Sequence, residues 1–326
     1  MNLINYIWNY YKDIMNYNKI SLDVNMNILN SFSEKESLSQ FSPNISVLKI
    51  KYPENHQKLM NTFRYILNSK EISIRAFDLT TELIKISPWT YEVWVVRRKC
   101  LSEIEEINIY DEIEFTNMIL INFSKVYQVW HHRRLLIDKL NECSQEKKIM
   151  QEILDEDNKN FHCWSHRIWM IRRFNNIEDE FDFVDKMLDR DLKNNSAWNY
   201  RFFLVEYFYK NNIDNDIIKE EIEYALEKIK IVPFHESPFN YINGFIRKYK
   251  KKYKDFNNVI NELILIYEKE KDNNCNNCVF ILRMLLEYYE EIKNKNKFND
   301  IIDQLIVIDF IRKQYYLWRK KNYNDS

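Results

Sequence analysis

Apolar residues recur at helical spacing in short segments between about residue 74 and residue 204. In the segment EKKIMQEILDED, for example, Ile149, Ile153 and Leu154 fall on one face of a helix. Amphipathic segments of this kind alternate with segments that contain a tryptophan, and short polar stretches separate them. No run of alternating β-branched residues predicts a β-strand. The pattern therefore predicts an all-α fold built from successive helices.

Four of these segments repeat the same two residues at a nearly constant interval. Each contains a tryptophan followed three positions later by an arginine, and successive tryptophans are separated by 36, 34 and 34 residues. Such an interval is typical of repeats made of two antiparallel helices. We therefore expect a right-handed α-α superhelix, a solenoid of antiparallel helix pairs in which these side chains pack between repeats. The pairs are Trp94–Arg97, Trp130–Arg133, Trp164–Arg167 and Trp198–Arg201.

The regular pattern weakens at both ends of the chain. Residues 1–45 are predicted to form an irregular N-terminal segment, and residues 46–326 a single helical-repeat domain. A diverged fifth repeat carries Phe239 where the others carry tryptophan. Residues 255–268 and 278–293 continue the helical pattern, and residues 299–321 close the chain.

Composition narrows the classes of function. The 326 residues carry a net charge of −1 and include a single glycine, Gly244, which excludes the glycine-rich loops that bind nucleotide phosphates. A near-neutral chain gives no global electrostatic reason to expect nucleic acid or an anionic membrane as a partner. We find no signal-peptide pattern and no apolar run long enough to span a membrane, and the five cysteines are scattered. These features favour a cytoplasmic protein.

Two motifs with metal-ligand spacing are incomplete. Cys275 and Cys278 form a C-x-x-C pair, but no second pair and no histidines at finger spacing accompany them. His162 and His166 are four residues apart, as in metal-binding helices, but no third ligand is evident. We therefore expect no metal site in this chain.

The residues just before each tryptophan are the most informative about chemistry. They are predicted to occupy the first turn of a helix, where free backbone N–H groups and the helix dipole favour an anion. Lys125 stands five residues before Trp130. A lysine at such a helix end creates an electropositive edge that suits a phosphate or a carboxylate. Tyr127 and His131 are its neighbours, and they single out Lys125 as the candidate.

These motifs resemble the α subunit of the protein prenyltransferases, in particular the subunit shared by protein farnesyltransferase and type I geranylgeranyltransferase. The similarity begins near VLKIKY at 47–52 and extends to IRKQYYLWRKK near the C-terminus. Its most specific parts are VYQVWHHRR at 126–134 and DNKNFHCWSHR at 157–167, because generic two-helix repeats share only the interval. The resemblance implies a crescent of helix pairs around a separate β subunit, and an enzyme that is active only as this heterodimer.

The resemblance also implies a reaction and its cofactors. A farnesyl or geranylgeranyl group moves from a prenyl diphosphate to the cysteine of a C-terminal CaaX motif in a protein substrate. The β subunit, rather than this chain, binds the zinc ion that lowers the pKa of that cysteine. Magnesium is a further candidate cofactor. Neither nucleic acid nor membrane insertion is part of this function.

Six residues match positions with functional roles in that family. Lys125 corresponds to the catalytic lysine that reaches the diphosphate near the bond being broken. Gln128 corresponds to the glutamine that hydrogen-bonds the terminal carboxylate of the peptide. The other matches are substrate-binding positions, namely Tyr91 near the pocket for the last peptide residue, Tyr127 in the same cleft as Lys125, and Phe161 and His162 on the diphosphate and lipid side.

The chain departs from the family pattern at two positions, and two other assignments stay open. Val126 stands where asparagine is common, and Phe161 lacks the phenol of the usual tyrosine. One alternative is the α subunit of the Rab-type geranylgeranyltransferase: NFHCW suits it, but Gln128 argues against it because that enzyme does not read a CaaX carboxylate. The other is a non-catalytic scaffold similar to tetratricopeptide proteins, which the single glycine and the recurring Trp–Arg pairs fit poorly.

Overall fold

The computed structural model describes residues 22–39, 52–249, 253, 256–272 and 278–325. Within these residues it contains fifteen α-helices and three short 3-10 helices, and no β-strand. The prediction of an all-α fold is confirmed. The helices belong to two compact units, of which the first ends at Phe174 and the second begins at Asn175.

The first unit contains seven α-helices, and turns of three to five residues join them. Such short turns make consecutive helices antiparallel neighbours. The helices α2 and α3, α4 and α5, and α6 and α7 form the three predicted pairs. The seven helices are α1 (Glu54–Ser69), α2 (Ile74–Ile86), α3 (Tyr91–Glu103), α4 (Ile109–Phe123), α5 (Tyr127–Leu140), α6 (Glu146–Glu156) and α7 (Phe161–Phe174).

The second unit contains eight α-helices. They are α8 (Glu180–Arg190), α9 (Asn195–Tyr209), α10 (Asn215–Ile231), α11 (Glu236–Tyr249), α12 (Phe256–Asp272), α13 (Val279–Glu291), α14 (Lys295–Ile308) and α15 (Lys313–Asp325). Asp309 directly follows α14 and separates it from α15. The buried carboxylate of Asp309 accepts a hydrogen bond from the Tyr316 hydroxyl at 2.7 Å and pairs with Arg312 at 3.1 Å.

The described part of the N-terminal segment, residues 22–39, contains one 3-10 helix, Met26–Ser31. Arg75 on α2 holds this part in place, since it donates to the Ser31 carbonyl at 2.8 Å and pairs with Glu36 at 2.9 Å. Residues 1–21 and 40–51 lie outside the described residues. The domain boundary at residue 45 therefore stays a prediction.

The tryptophans occupy the same place in each repeat. Each is the fourth residue of its helix and is buried, and its indole N–H donates to the carbonyl six residues earlier, in the turn before the helix. The four acceptors are the carbonyls of Pro88 at 2.7 Å, Ser124 at 2.7 Å, Asn158 at 2.9 Å and Leu192 at 2.9 Å. The packing role predicted for these residues is confirmed, and each indole also fixes a turn.

The fifth repeat, in the second unit, keeps this register. Phe239 is the fourth residue of α11 and is buried, and its ring stacks on Phe280 at a centroid distance of 5.9 Å. The single glycine lies farther along α11 against the ring of Phe202. A Cβ added at Gly244 would lie 3.2 Å from that ring, which is tighter than ordinary contact. Glycine here allows α11 to approach α9 closely.

The arginines bind carboxylates that the sequence analysis did not identify. Arg97 on α3 donates from two nitrogens to Glu112 on α4, at 2.6 and 2.7 Å, and all these atoms are buried. Its third nitrogen donates to the hydroxyls of Thr80 and Thr81 on α2, at 2.9 and 2.7 Å. One guanidinium thus joins both helices of its own repeat to the next repeat. Planar guanidinium groups suit such bidentate pairing.

The same arrangement recurs, with a further donor twenty residues after each carboxylate. Arg133 binds Glu146 at 2.7 and 2.9 Å, and in the second unit Arg201 binds Glu221 at 2.8 and 3.0 Å. Each carboxylate also accepts a bond from a side chain on the second helix of its own repeat. These pairs are Glu112–His132, Glu146–His166, Glu180–Tyr200 and Glu221–Tyr241, at 2.5 to 2.6 Å.

Candidate functional site

The six predicted site residues lie at the starts of α3, α5 and α7, which are neighbouring second helices in the first unit. Tyr91, Tyr127 and Phe161 are the first residues of these helices, and they are 58%, 59% and 76% exposed. Gln128 and His162 are the second residues of α5 and α7. The structure therefore brings the predicted residues to one end of three adjacent helices.

Lys125 lies in the turn before α5 rather than in the first helical turn. The helix begins at Tyr127 and its N-cap is Val126, so the predicted position within the helix is wrong by two residues. Valine has no side-chain acceptor, and α5 has no side-chain cap. Lys125 consequently projects from a turn whose shape depends on other contacts.

Two side chains hold that turn. The Trp130 indole N–H donates to the Ser124 carbonyl at 2.7 Å, and the Asn160 amide donates to the Ser124 hydroxyl at 3.1 Å. The Asn160 amide oxygen meanwhile accepts the backbone N–H of Cys163 at 3.0 Å and thereby caps α7. The backbone that carries Lys125 is thus tied both to its own helix and to the start of α7.

The ammonium group of Lys125 pairs with a carboxylate. Its Nζ lies 3.1 Å from Asp157, the C-cap of α6, and the Lys125 side chain is 78% exposed. Exposed ion pairs contribute about 1 kcal/mol or less, because water screens them. An incoming phosphate can therefore displace Asp157 at little cost in free energy.

Gln128 joins the start of α5 to the turn before α3. Its side-chain amide donates to the Trp89 carbonyl at 2.9 Å. Since only the nitrogen can donate to a carbonyl, this contact fixes the orientation of the amide. The second N–H of the same amide remains available to a carboxylate at this partly exposed position.

Histidines and aromatic rings surround these groups. Tyr127 stacks on His131 at a centroid distance of 5.8 Å, and Phe161 meets the His162 ring edge-on at 5.6 Å. Burial and the nearby Arg134 guanidinium lower the pKa of His162 below its usual value. His162 is therefore neutral at pH 7 and offers a ring N–H rather than a full positive charge.

Two arginines and one aspartate near the site were missed by the sequence analysis. Arg98 and Arg134 each follow the first tyrosine of their helix by seven residues, and this spacing signals a shared face. Asp157 is thirty-two residues from Lys125 in the chain, and no local pattern connects the two.

The described residues bring together no group of three or more His, Cys, Asp or Glu that could hold a metal ion. His166, one of the two histidines with metal-ligand spacing, is bonded to Glu146. Cys275 lies outside the described residues. None of the described helices combines the length and apolar character needed to cross a bilayer.

A family model matches part of the chain. The model of the protein prenyltransferase alpha subunit repeat matches residues 109–140, 143–174 and 177–208. These ranges coincide with the helix pairs α4 and α5, α6 and α7, and α8 and α9.

Several similar proteins share one description, protein farnesyltransferase/geranylgeranyltransferase type-1 subunit alpha. The one from Dictyostelium discoideum is 32% identical over 305 residues, which are 85% of this chain and 94% of that protein. The one from Candida albicans is 31% identical over 267 residues, or 79% of this chain and 86% of that protein. With the Schizosaccharomyces pombe protein the match is 39% identical over 89 residues and spans 30% of that protein.

A solved structure is similar over most of the chain. It is Candida albicans protein geranylgeranyltransferase-I complexed with GGPP, with a TM-score of 0.80 and 28% sequence identity. The similarity covers 88% of this chain and 96% of that chain.

Proposed function

The chain belongs to the family of protein farnesyltransferase/geranylgeranyltransferase type-1 alpha subunits, and from this premise we propose that it is the α subunit of a heterodimeric CaaX prenyltransferase. Together with a β subunit it transfers a farnesyl or geranylgeranyl group from the diphosphate to a cysteine thiolate. The C–O bond to the diphosphate breaks, a C–S bond forms, and diphosphate leaves. We place this reaction in the cytoplasm.

The position of Lys125 is the observation that best supports this proposal. Its exposed ammonium projects from a turn that Trp130 and Asn160 hold in place, beside the exposed ring of Tyr127. Negative charge on the diphosphate grows as its bond to carbon breaks. A cation held near that charge stabilises the transition state more than the bound substrate.

The remaining site residues bind and orient the substrates. Gln128 donates its free N–H to the terminal carboxylate of the peptide, and Tyr91 lines the pocket for the last peptide residue. Neutral His162 donates a hydrogen bond on the diphosphate side, and Phe161 contacts the apolar lipid because it has no hydroxyl. Zinc, held by the β subunit in this proposal, supplies the thiolate.

The proposal is tested with the purified heterodimer, formed by co-expression with the chain's own β subunit. We expect Lys125→Ala to lower kcat by roughly tenfold to a hundredfold and to leave assembly intact, because the lost interaction is made mainly in the transition state. Lys193→Ala is the matched control, since Lys193 precedes α9 as Lys125 precedes α5. An unchanged kcat in the Lys125 variant would contradict the catalytic role.

The same assay examines Gln128 and separates the CaaX enzyme from the Rab-type alternative. We expect Gln128→Ala to raise the KM for a CaaX peptide more than the KM for the prenyl diphosphate, because of the two substrates the amide binds the peptide. The loss of one charge-assisted hydrogen bond corresponds to about 1–3 kcal/mol. Equal changes in both KM values would remove this role.

A further inference from the structure

Two half-buried arginines on neighbouring helices take no part in the buried carboxylate networks. Arg98 on α3 interacts electrostatically with Tyr91 and Tyr127, and Arg134 on α5 interacts with Tyr127. His131 lies close enough to both guanidiniums for each to lower its pKa, in addition to the larger effect of burial. We call the surface formed by Arg98, His131 and Arg134 the basic patch.

The basic patch has no counter-charge among the described residues. No carboxylate there is bonded to Arg98 or Arg134, or acts on either electrostatically. Arg134 donates to the Ser165 hydroxyl at 3.3 Å and to His166 Nδ1 at 3.4 Å, and it lies over the Trp169 ring at 5.5 Å. Burial lowers the pKa of both arginines. Partly desolvated cations are unfavourable unless an anion compensates them.

The neighbouring positions inside the repeats show how this chain normally compensates a buried arginine. Arg97 and Arg133, which directly precede the patch arginines in the chain, each bind a glutamate through two nitrogens. For Arg98 and Arg134, in contrast, no described helix of the first unit supplies a carboxylate. The two patch arginines therefore lack, among the described residues, the kind of partner that Arg97 and Arg133 have.

The surroundings of the basic patch are typical of a protein–protein interface. The exposed aromatic residues Trp89, Tyr91 and Tyr127 flank it on α3, α5 and the turn before α3. Arginine and large aromatic residues are enriched in the buried centres of interfaces, whereas exposed apolar clusters are rare on monomeric proteins. This combination favours a protein partner over a small ion.

Along α5, Arg134 and Lys125 occupy different levels. Arg134 lies seven residues along α5 from Tyr127, which corresponds to about 10 Å at the rise of an α-helix. Lys125 lies beyond the opposite end of that interval, before the first turn.

We propose that an aspartate or glutamate of the β subunit inserts its carboxylate into the basic patch and bridges α3 and α5. This carboxylate then pairs with arginines across the subunit interface, as Glu112 and Glu146 pair with arginines across the boundaries between repeats. This inference rests on the proposed function, because it requires a β subunit. It goes further by naming the residues of this chain that anchor that subunit and the chemistry that they recognise.

The first test measures heterodimer assembly. We expect the double variant Arg98→Gln, Arg134→Gln to raise the dissociation constant of the heterodimer by about tenfold to a hundredfold, and to reduce its dependence on salt concentration. Arg173→Gln is the matched control, because Arg173 lies on α7, is partly exposed and already pairs with Asp138. The helical circular dichroism of each variant shows whether it is folded.

The second test keeps the charge and so does not depend on the double variant folding. In the single variant Arg134→Lys the new amine can be joined to a carboxylate by a zero-length carbodiimide cross-linker. We expect a cross-link between position 134 and an aspartate or glutamate of the β subunit, identified by mass spectrometry of the heterodimer. The absence of any such cross-link in an assembled heterodimer would overturn the inference.

The outcomes distinguish the two proposals. Normal assembly of the double variant, together with a raised KM for the peptide or the prenyl diphosphate, shows that the basic patch serves a substrate and refutes the inference. A wild-type heterodimer that assembles but transfers no prenyl group contradicts the proposed function, and the assembly measurements still decide the inference.

Discussion

At the scale of single residues, the repeats depend on buried charges that compensate each other. Burial alone would raise the pKa of Glu146, but His166 and Arg133 outweigh it and lower that pKa to about 2. Arg97 and His132 lower the pKa of Glu112 to about 2 in the same way. Both glutamates therefore stay ionised inside the protein, and each arginine keeps its counter-charge.

The histidines in these networks stay neutral. Burial lowers the pKa of His132 and of His166, and the hydrogen bond to glutamate opposes this shift without cancelling it. A neutral ring donates from Nε2 to the carboxylate, which agrees with the distance of 2.6 Å in both pairs. Each network thus has one positive and one negative charge.

These pKa shifts predict acid sensitivity. The unfolded chain protonates its histidines below about pH 6.5 and its glutamates below about pH 4.5, whereas the folded chain resists both until lower pH. The unfolded state then binds more protons, so stability falls as the pH decreases from 7 towards 3. We expect the urea midpoint of the heterodimer to fall across this range, and a midpoint that is constant from pH 7 to pH 4 would contradict the network.

The variant Glu146→Gln tests how much the negative charge of Glu146 contributes to stability. It leaves Arg133 buried without an anion, and we expect it to cost about 3–5 kcal/mol of stability at pH 7. Because this variant lacks the carboxylate, its urea midpoint should depend less on pH below 5. The exposed Glu142→Gln serves as the control and should change neither quantity.

At the scale of helices and turns, the contacts at the start of each second helix also position the proposed functional residues. In four repeats an indole N–H holds the turn before the second helix. The turn that carries Lys125 is also bonded to the side chain of Asn160, in the next repeat. Asn160 caps α7 with the same side chain. One residue therefore stabilises a helix and positions the turn with the proposed catalytic lysine.

The variant Asn160→Ala tests this double role. We expect a loss of about 1 kcal/mol from the missing cap, and in addition a lower kcat, because the Ser124–Lys125 turn loses its contact with α7. Asn194→Ala removes a similar cap from α9, where Asn194 accepts from Ser196 and Ala197, but it lies far from Lys125 in the chain. The two variants should lose similar stability, and only Asn160→Ala should lose turnover; equal turnover in both would show that Asn160 is a cap alone.

At the scale of the whole molecule, the exposed aromatic residues determine how the chain behaves alone. In the first unit Trp89, Tyr91, Tyr127 and Phe161 are all more than half exposed, and their side chains lie at the starts of neighbouring helices or in the turn before one. Apolar patches of this kind usually belong to interaction surfaces. A net charge of −1 provides little electrostatic repulsion against association.

We therefore expect the isolated chain to bind a hydrophobic fluorescent dye and to self-associate, and expect both signals to decrease when the β subunit is added. The reason is that the partner covers the aromatic side chains. Size-exclusion chromatography with light scattering and dye fluorescence measures the two effects. A monodisperse isolated chain with no dye binding would contradict this expectation.

The predictions from sequence were most accurate where a local pattern repeats. The Trp-x-x-Arg interval located the second helices of four repeats, because each of these helices has its buried tryptophan at the same, fourth position. Helix starts were less accurate, and Lys125 was placed two residues too far into its helix. The break at Asp309 depends on a side chain bonded to Tyr316, which no apolar period reveals.

The amino-acid sequence by itself determined the helical class, the repeat interval and the group of residues at the helix starts, since each follows from spacing along one or two turns. Only the tertiary structure decided which carboxylate each arginine binds, because the intervening turns differ in length and Arg97 and Arg201 reach Glu112 and Glu221 over 15 and 20 residues. It also decided that Asp157 approaches Lys125 while Arg98 and Arg134 have no carboxylate among the described residues. Charged groups interact through space, and the packing of the helices sets the distances between them.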